Sequence, residues 1–247
     1  GSEMCIRDSP LTTIPRFQKE AAEIALQMSQ FSVDELERLL RVNAKIAVEN
    51  YKRYQAFHAE TTPELPALLA YTGIVFKRLN PKDFSAEDFG YAQEHLRLTS
   101  FCYGLLRPLD VIRAYRLEGD VVLPELGNQT LFSYWRSRLT DTFIEDIRSA
   151  GGILCNLASD EMKSLFDWKR VESEVRVVAP EFHVWKNGKL ATIVVYTKMS
   201  RGEMTRFILK NKIGNPEELK GFSWEGFEFD ESLSDERKLV FINGMGE

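Results

Sequence analysis

The chain has 247 residues, 44% of them hydrophobic and 28% charged, a composition that excludes a disordered protein and favours a globular one with a full apolar core. Its 32 Lys and Arg residues against 37 Asp and Glu residues give a formal net charge of −5, so the chain as a whole is not attracted to nucleic acid or to an anionic membrane. Any anion-binding site must therefore be local.

The first half of the chain is predicted to be rich in helices. Residues 1–9, "GSEMCIRDS", lack both the apolar core of a signal peptide and a foldable pattern, so we expect a non-native or disordered segment. Apolar residues then recur at helical spacing over 15–29. Ser32 and Glu35 have the spacing of a capping box before a second helix, and a third helix is predicted over 44–58.

The next segments alternate between helices and short apolar runs. The β-branched and aromatic run 71–76 indicates a strand, and Ser85 is the expected start of a helix that ends near Thr99. Pro108 cannot continue a helix and disfavours the helical conformation at the residue before it. Arg107 is therefore expected at a turn.

The second half combines a long helix with strands. "LFSYWRSRLTDTFIEDIRSAGG" predicts a helix with one apolar stripe, stopped by Gly151 and Gly152. "ILCNLA" has the character of a buried strand, and Ser159 follows it as the expected cap of another helix.

The clearest local signal is a β-hairpin near 175–198. Two β-type runs meet at Asn187–Gly188, the dipeptide that accepts positive φ in a type I′ turn, and the second strand is expected to lead into a helix that starts at Ser200. Two further strands are predicted towards the C-terminus. The fold class is therefore mixed α/β, with a central mixed sheet surrounded by helices.

Charge is unevenly distributed along the chain. Residues 97–116 carry four basic residues and one acidic residue, and residues 198–212 carry five basic residues and one acidic residue. Residues 217–247, in contrast, carry three basic residues and nine acidic residues. If the first two segments meet in space, they form an electropositive cleft able to bind phosphates. The alternative is that these charges occupy ordinary solvated helix faces.

Several short motifs carry a family resemblance. Spread in order over the chain from about Ser9 to Phe241 are "YTG" at 71–73, "HLR" at 95–97, "YGLLRPLD" at 103–110, "YRLE" at 115–118, "NLASDE" at 156–161, and the series Lys198, Arg201, Gly202, Met204 and Arg206. On these motifs the sequence resembles the YaaA family of bacterial peroxide stress proteins.

This resemblance implies a cytosolic α/β protein of unusual topology, with a single domain over 10–247. It also implies a positively charged cleft, a helix-hairpin-helix-like element, DNA binding, and a role in limiting intracellular iron and oxidative damage. Family members begin with an apolar strand and a Ser-Pro-Ala-Lys-Thr motif, whereas the matching region here begins near "DSPLTT". We therefore expect the first strand of the family to be missing.

Particular side chains are candidates for binding DNA phosphates or another anion. Asn156 follows a strand, and Ser159 heads a helix whose free N–H groups could hold a phosphate. Lys198 and Arg201 bracket the predicted start at Ser200, which is favourable for an anion. The other candidates are Arg107, Arg116 and Arg206, with Tyr115 able to stack on a base. Each also has an ordinary structural interpretation as a cap, a packed aromatic or a solvated charge.

Other chemistry has weaker support. Glu161 and His95 are the candidate proton carriers if the cleft is an active site. The chain has three His residues and no local triplet of His, Cys and carboxylate residues, which argues against a dedicated metal site, and no cofactor is expected. The three Cys residues have no disulfide or metal-ligand spacing, which favours a reducing cytosol, and no run approaches the roughly 18 apolar residues of a membrane span.

Two functions remain open. The first is a cytoplasmic stress protein that binds duplex DNA without sequence preference through a local basic cleft. The second is an enzyme that acts on a nucleotide or another phosphorylated small molecule in the same cleft. An iron-sequestering protein is disfavoured by the small number of suitable ligands.

Overall fold

The computed structural model describes residues 11–244 and has the mixed α/β fold that the sequence predicts. The expectations that residues 1–9 are non-native or disordered, and that the first strand of the family is missing, lie outside the described residues. Within them, the chain divides into two compact units.

The helices and strands follow one another in mixed order. The α-helices are α1 (Gln18–Met28), α2 (Val33–Leu40), α3 (Ala44–Ala56), α4 (Ala67–Ala70), α5 (Ile74–Leu79), α6 (Ala86–His95), α7 (Leu131–Ser149), α8 (Trp168–Glu174) and α9 (Val194–Asn211). The strands are β1 (Leu65–Pro66), β2 (Leu98–Ser100), β3 (Gly104–Leu106), β4 (Val111–Ile112), β5 (Val122–Leu123), β6 (Gln129–Thr130), β7 (Ile153–Cys155), β8 (Arg176–Lys186), β9 (Lys189–Ala191), β10 (Phe227–Phe229) and β11 (Lys238–Asn243). Short 3₁₀ helices cover Pro81–Asp83, Pro124–Leu126, Asp160–Leu165, Pro216–Gly221 and Glu231–Leu233.

The first unit consists of residues 11–70, 96–143 and 160–168. Helix α2 begins where the sequence predicts, because the Ser32 hydroxyl accepts from the backbone N–H of Glu35 while the Glu35 carboxylate accepts from that of Ser32. Its strands form three separate antiparallel pairs, β1–β4, β2–β3 and β5–β6.

Trp135 is the largest fully buried side chain of this unit. Its indole Nε1 donates to the backbone oxygen of Phe101 over 2.8 Å, and its ring packs edge-on against Phe17. Gly104 has a φ of +74°, and a Cβ there would lie 2.6 Å from the Trp135 ring. This glycine therefore lets the β2–β3 pair approach α7.

The second unit, residues 71–95, 144–159 and 169–244, contains the central mixed sheet. The long strand β8 pairs in parallel with β11 along one edge. On its other edge it pairs in parallel with β7 and then antiparallel with β9, and β10 lies beyond β11. The sheet therefore mixes parallel and antiparallel pairs around one central strand.

Alternate residues of β8 belong to the core of this unit. Val178, Phe182 and Val184 are buried together with Phe241 of β11 and Met204 of α9. The period of two arises because successive side chains of a strand point to opposite faces of the sheet. Helix α9 thus covers the core face of β8.

The hairpin prediction is confirmed, but its second strand is shorter than expected. Asn187 and Gly188 both have positive φ, as a type I′ turn requires, and they join β8 to β9. The run "IVVYTK" was expected to extend the strand, and this is wrong, because α9 already begins at Val194. Ser200 therefore lies inside α9 and does not start it.

The predicted strand over 71–76 is also wrong, because residues 74–76 belong to α5 and residues 71–73 precede it without forming a strand. In contrast, α1, α3 and the capped start of α2 lie where the apolar spacing places them.

Candidate functional site

The predicted site residues are divided between the two units. The first unit holds Arg107, Tyr115, Arg116 and Glu161, and the second holds His95, Asn156, Ser159, Lys198, Arg201 and Arg206. A single cleft shared by both groups remains a prediction, and each group is described within its own unit.

Arg107 lies at the predicted turn and is bound to the fully buried carboxylate of Asp110. Its Nη2 and Nε lie 2.9 and 3.2 Å from Asp110 Oδ1, and its backbone N–H donates to Oδ2 over 2.8 Å. The hydroxyl of Thr13 donates to Oδ1 as well, over 2.6 Å. The Arg107 guanidinium group therefore neutralises a buried charge of its own turn.

The "YRLE" motif presents a different environment. The Tyr115 hydroxyl shares a hydrogen bond of 2.6 Å with the Ser100 hydroxyl, and its ring packs edge-on against Tyr103. Arg116 is exposed, and its backbone oxygen accepts from the Tyr54 hydroxyl. Tyr115 is thus anchored, whereas the Arg116 side chain is accessible to an anion.

Carboxylates and guanidinium groups cluster beside this motif within the first unit. Burial raises the pKa of the Glu118 carboxyl above its ordinary value, the arginines at 116 and 41 oppose this rise, and the carboxylates of Glu161 and Asp120 add to it. Arg41 has its own pKa raised, first by its hydrogen bond to Asp120, whose Oδ2 lies 2.7 Å from Nη1. Glu118 therefore holds a proton more readily than a glutamate in water does.

Glu118 was not among the candidates selected from the sequence. It is the last residue of a motif already singled out, and its position beside Glu161 could not be read from the sequence because 42 intervening residues separate the two.

The second unit contributes the basic side chains of α9. Lys198 is exposed and Arg201 is half-buried, both within the helix, so the expected helix start between them is wrong. Arg206 forms a bidentate pair with Asp83, at 2.8 and 2.6 Å, and Lys210 lies 2.8 Å from Asp88. The C-terminal half of α9 is thus neutralised by partners, whereas Lys198 has no ion pair within the described residues.

The position of Lys198 and Arg201 depends on a close contact between α9 and α5. Gly202 lies against the backbone of Val75, so that a Cβ on Gly202 would lie 2.3 Å from the Val75 carbonyl oxygen. Arg78 of α5 extends along α9 and contacts Glu203 at 3.8 Å. Gly202 therefore allows α9 to pack closely against α5.

Asn156 and Ser159 follow β7 in the second unit. The Asn156 backbone N–H donates to Val178, and its side-chain oxygen accepts from the Ala158 N–H over 3.2 Å. Ser159 is exposed just before the short 3₁₀ helix Asp160–Leu165, which takes the place of the predicted α-helix. The Asn156 side-chain oxygen is thus used within its own turn, which leaves the amide nitrogen as the group that could contact an anion.

His95 ends α6 and stacks on Tyr91. The ring centroids are 3.9 Å apart, and His95 Nδ1 lies 2.8 Å from the Tyr91 backbone oxygen. One ring nitrogen is thus used within the helix, and Nε2 is the group left for proton transfer.

The hairpin β8–β9 and the start of α9 form a segment that the sequence interpretation overlooked. Between Phe182 and Gly202 the chain has no acidic residue and four basic ones, namely Lys186, Lys189, Lys198 and Arg201. The absence of Asp and Glu over this length, in an acidic chain, is the signal that could have identified it. We call residues 182–202 the basic arm.

Cys102 is buried and Cys155 packs against the core of the second unit, where burial raises the pKa of Cys155 to about 12. Residues 11–244 contain no group of three or more His, Cys, Asp and Glu side chains placed to hold a metal ion. None of the helices described here combines the length and apolar character needed to span a bilayer.

Comparisons with known proteins agree with the motifs. A family model described as "Peroxide stress protein YaaA" matches residues 3–233. A UPF0246 protein of Bacteroides thetaiotaomicron is 99% identical over 238 residues, covering 96% of this chain and 93% of the relative. UPF0246 proteins of Bacteroides fragilis and Crocosphaera subtropica are 76% and 38% identical, over 100% and 94% of this chain and 96% and 92% of their own lengths.

Proposed function

The chain belongs to the family of peroxide stress protein YaaA, and from this premise we propose that it protects DNA under peroxide stress by binding duplex DNA through a local basic surface. Lys198 and Arg201 of α9 are its central residues, and the exposed Arg116 of the first unit is a separate candidate for phosphate binding. Binding is non-specific and requires no cofactor.

The basic arm is the observation that carries this proposal. Its four basic residues occur without a single acidic residue in a chain of net charge −5, so positive charge is concentrated in this segment although the chain as a whole is acidic. Lys198 is exposed and has no ion pair among the described residues, which leaves its ammonium group available for a phosphate. Backbone phosphates carry no sequence information, so such contacts give affinity without sequence preference.

Phosphate binding also offers a route to limiting iron-dependent damage. A protein that neutralises DNA phosphates releases the cations condensed on them. Ferrous ions held near the phosphates are among the cations that would be released, and peroxide would then generate fewer radicals next to the DNA. This protection needs no iron site in the protein.

A salt series on duplex DNA tests the proposal. The logarithm of affinity falls by about 0.9 per phosphate contact for each tenfold rise in salt, so Lys198→Ala/Arg201→Ala should weaken binding and flatten the slope by about 1.8. The matched control is Lys45→Ala/Lys52→Ala, which removes two exposed positive charges from α3. Unchanged affinity and slope in the α9 variant would refute the proposal.

A second function is supported by the carboxyl cluster of the first unit. The raised pKa of Glu118, with Glu161 and Arg116 nearby, is an arrangement that can transfer a proton beside a bound anion. The substrate would be a nucleotide or another phosphorylated small molecule. His95 remains the other candidate proton carrier.

The two functions respond differently to substitution. Glu118→Gln and Glu161→Gln should leave duplex binding almost intact, because neither carboxylate attracts a phosphate. If the protein is instead an enzyme, calorimetry should detect a nucleotide bound by the parent protein, and these substitutions should abolish its turnover.

A further inference from the structure

Among the interactions of the described residues, Trp185 differs from the other tryptophans in making neither a hydrogen bond nor a ring contact. The Nε1 of Trp135 donates to a backbone oxygen, and that of Trp224 donates to Ser200. Trp168 lies beneath the ammonium group of Lys163, 5.7 Å from its ring centroid. Within residues 11–244, Trp185 alone among the four has neither a hydrogen bond nor a ring contact, and it is 39% exposed.

The position of Trp185 is fixed by the hairpin register. It lies directly opposite Leu190, which is 40% exposed, and the two form the second cross-strand pair from the turn. The pair next to the turn is Lys186 with Lys189, and both lysines are exposed and without an ion pair among the described residues. Successive side chains of a strand point to opposite faces of a sheet, so the Trp185 ring lies on one face of the hairpin and the two lysines extend from the other, all within two residues of the turn.

We propose that the tip of the β8–β9 hairpin binds single-stranded DNA, with an unpaired base stacked on Trp185 and neighbouring phosphates held by Lys186 and Lys189. The inference rests on the proposed DNA-binding function and extends it to a second form of DNA. Aromatic stacking accepts any base, because every base has a π-face, and it requires a base that is not already stacked in a duplex.

The chemistry of the tip favours a nucleic acid over an anionic membrane. The outermost residues are Lys186, Asn187, Gly188 and Lys189, all polar or without a side chain, and the apolar pair lies behind them. Tip-first insertion into a bilayer would bury two ammonium groups before Trp185 reached apolar lipid, at a large desolvation cost. A nucleic acid strand instead presents charge and an aromatic surface together.

Stacking on Trp185 is tested with an oligothymidylate of about 12 nucleotides, within the usual site sizes of single-strand binders. We expect the oligonucleotide to quench the tryptophan fluorescence of the parent protein. Trp185→Leu should weaken binding by roughly 5- to 150-fold, the loss typical of one removed stack. Trp185→Phe should keep an affinity close to that of the parent but lose most of the quenching.

The two lysines are tested through salt. Lys186→Gln/Lys189→Gln should flatten the single-strand salt slope by about 1.4, since each single-strand phosphate contributes about 0.7. The matched control, Lys45→Gln/Lys52→Gln on α3, should behave as the parent. If Trp185→Leu lowers the thermal midpoint, the quenching of Trp185→Phe and the slope of the lysine variant decide the outcome.

Failure of this inference can be told apart from failure of the proposed function. Duplex binding that depends on Lys198 and Arg201, with no single-strand binding or with full affinity in Trp185→Leu, overturns only the inference. Loss of binding to phosphatidylserine vesicles in Trp185→Leu, with no effect on the oligonucleotide, would assign the tip to a membrane and overturn it as well. No binding to either form of DNA would refute both.

Discussion

Replacing Gly202 by alanine tests the close packing of α5 and α9 that positions the basic residues of the second unit. A Cβ at this position would lie 2.3 Å from the carbonyl oxygen of Val75 and 2.7 Å from Cβ of Arg78. The nearest of these atoms belongs to the backbone, so a change of side-chain rotamer cannot relieve the contact. The two helices must move apart by about 1 Å to restore ordinary contact distances.

Two effects of opposite sign determine the magnitude. Alanine is favoured over glycine in a helix by about 1 kcal/mol, whereas overpacking a tight contact costs about 1–3 kcal/mol and more when backbone must move. We expect the clash to dominate and the free energy of unfolding to fall by about 2 kcal/mol, which is about 4–8 °C in thermal midpoint for a chain of this size.

Gly90 provides the matched control, because it is an exposed glycine of α6 and a Cβ added to it would have no atom within 4 Å. Gly90→Ala should stabilise the protein by about 0.5–1 kcal/mol, through helix propensity alone. Thermal melts and urea titrations of both variants give the comparison. If Gly202→Ala raises the midpoint as Gly90→Ala does, the helices are not packed as closely as described.

Three further predictions concern charged groups. Asp110→Ala should lower the free energy of unfolding by about 3–5 kcal/mol, because it leaves the Arg107 guanidinium group without its buried partner. An unchanged urea midpoint in this variant would contradict the prediction. Glu118→Gln should stabilise the protein at pH 7, because ionisation of a carboxyl whose pKa is raised in the folded state opposes folding. This gain in stability should vanish below about pH 4, where the carboxyl is protonated in both the folded and the unfolded state. A gain that does not depend on pH would be inconsistent with this origin. The pair with Arg206 lowers the pKa of Asp83, so its stabilisation is present above about pH 4 and is lost as pH falls through the lower folded value. Asp83→Asn should remove this part of the acid sensitivity, measured as the difference between melts at pH 7 and pH 3.

Local chemistry explains which elements could be predicted from the sequence. The Asn187–Gly188 turn and the Ser32 capping box were predicted correctly because the residues that determine them are adjacent in the chain. The start of α9 was not predicted correctly, because Val194 and Val195 are β-branched residues that favour strands. Helical spacing instead places Ile193 and Tyr196 of this region against the core of the second unit, so packing overrides propensity there.

The types of residue in the candidate site could be predicted from the sequence, but the ion pairs that these residues form could not. Arg206 was selected for its charge, yet its partner Asp83 is 123 residues away and occupies both of its terminal nitrogens. Asp110, three residues from Arg107, could have been recognised as its partner from the sequence. Long-range pairing decides which basic side chains can still accept a ligand, and charge counting along the chain does not show it.

The parallel pairing of β8 with β11 has a consequence for the synthesis of this protein. On the ribosome, β8, β9 and α9 emerge before β11, which begins only at Lys238. Until then the edge of β8 from Ala179 to Val184 presents unpaired backbone groups beside an apolar face, which is a template for aggregation. Chains interrupted before Lys238 should therefore depend on chaperones or be degraded, so the cell can distinguish finished molecules from unfinished ones by a single strand.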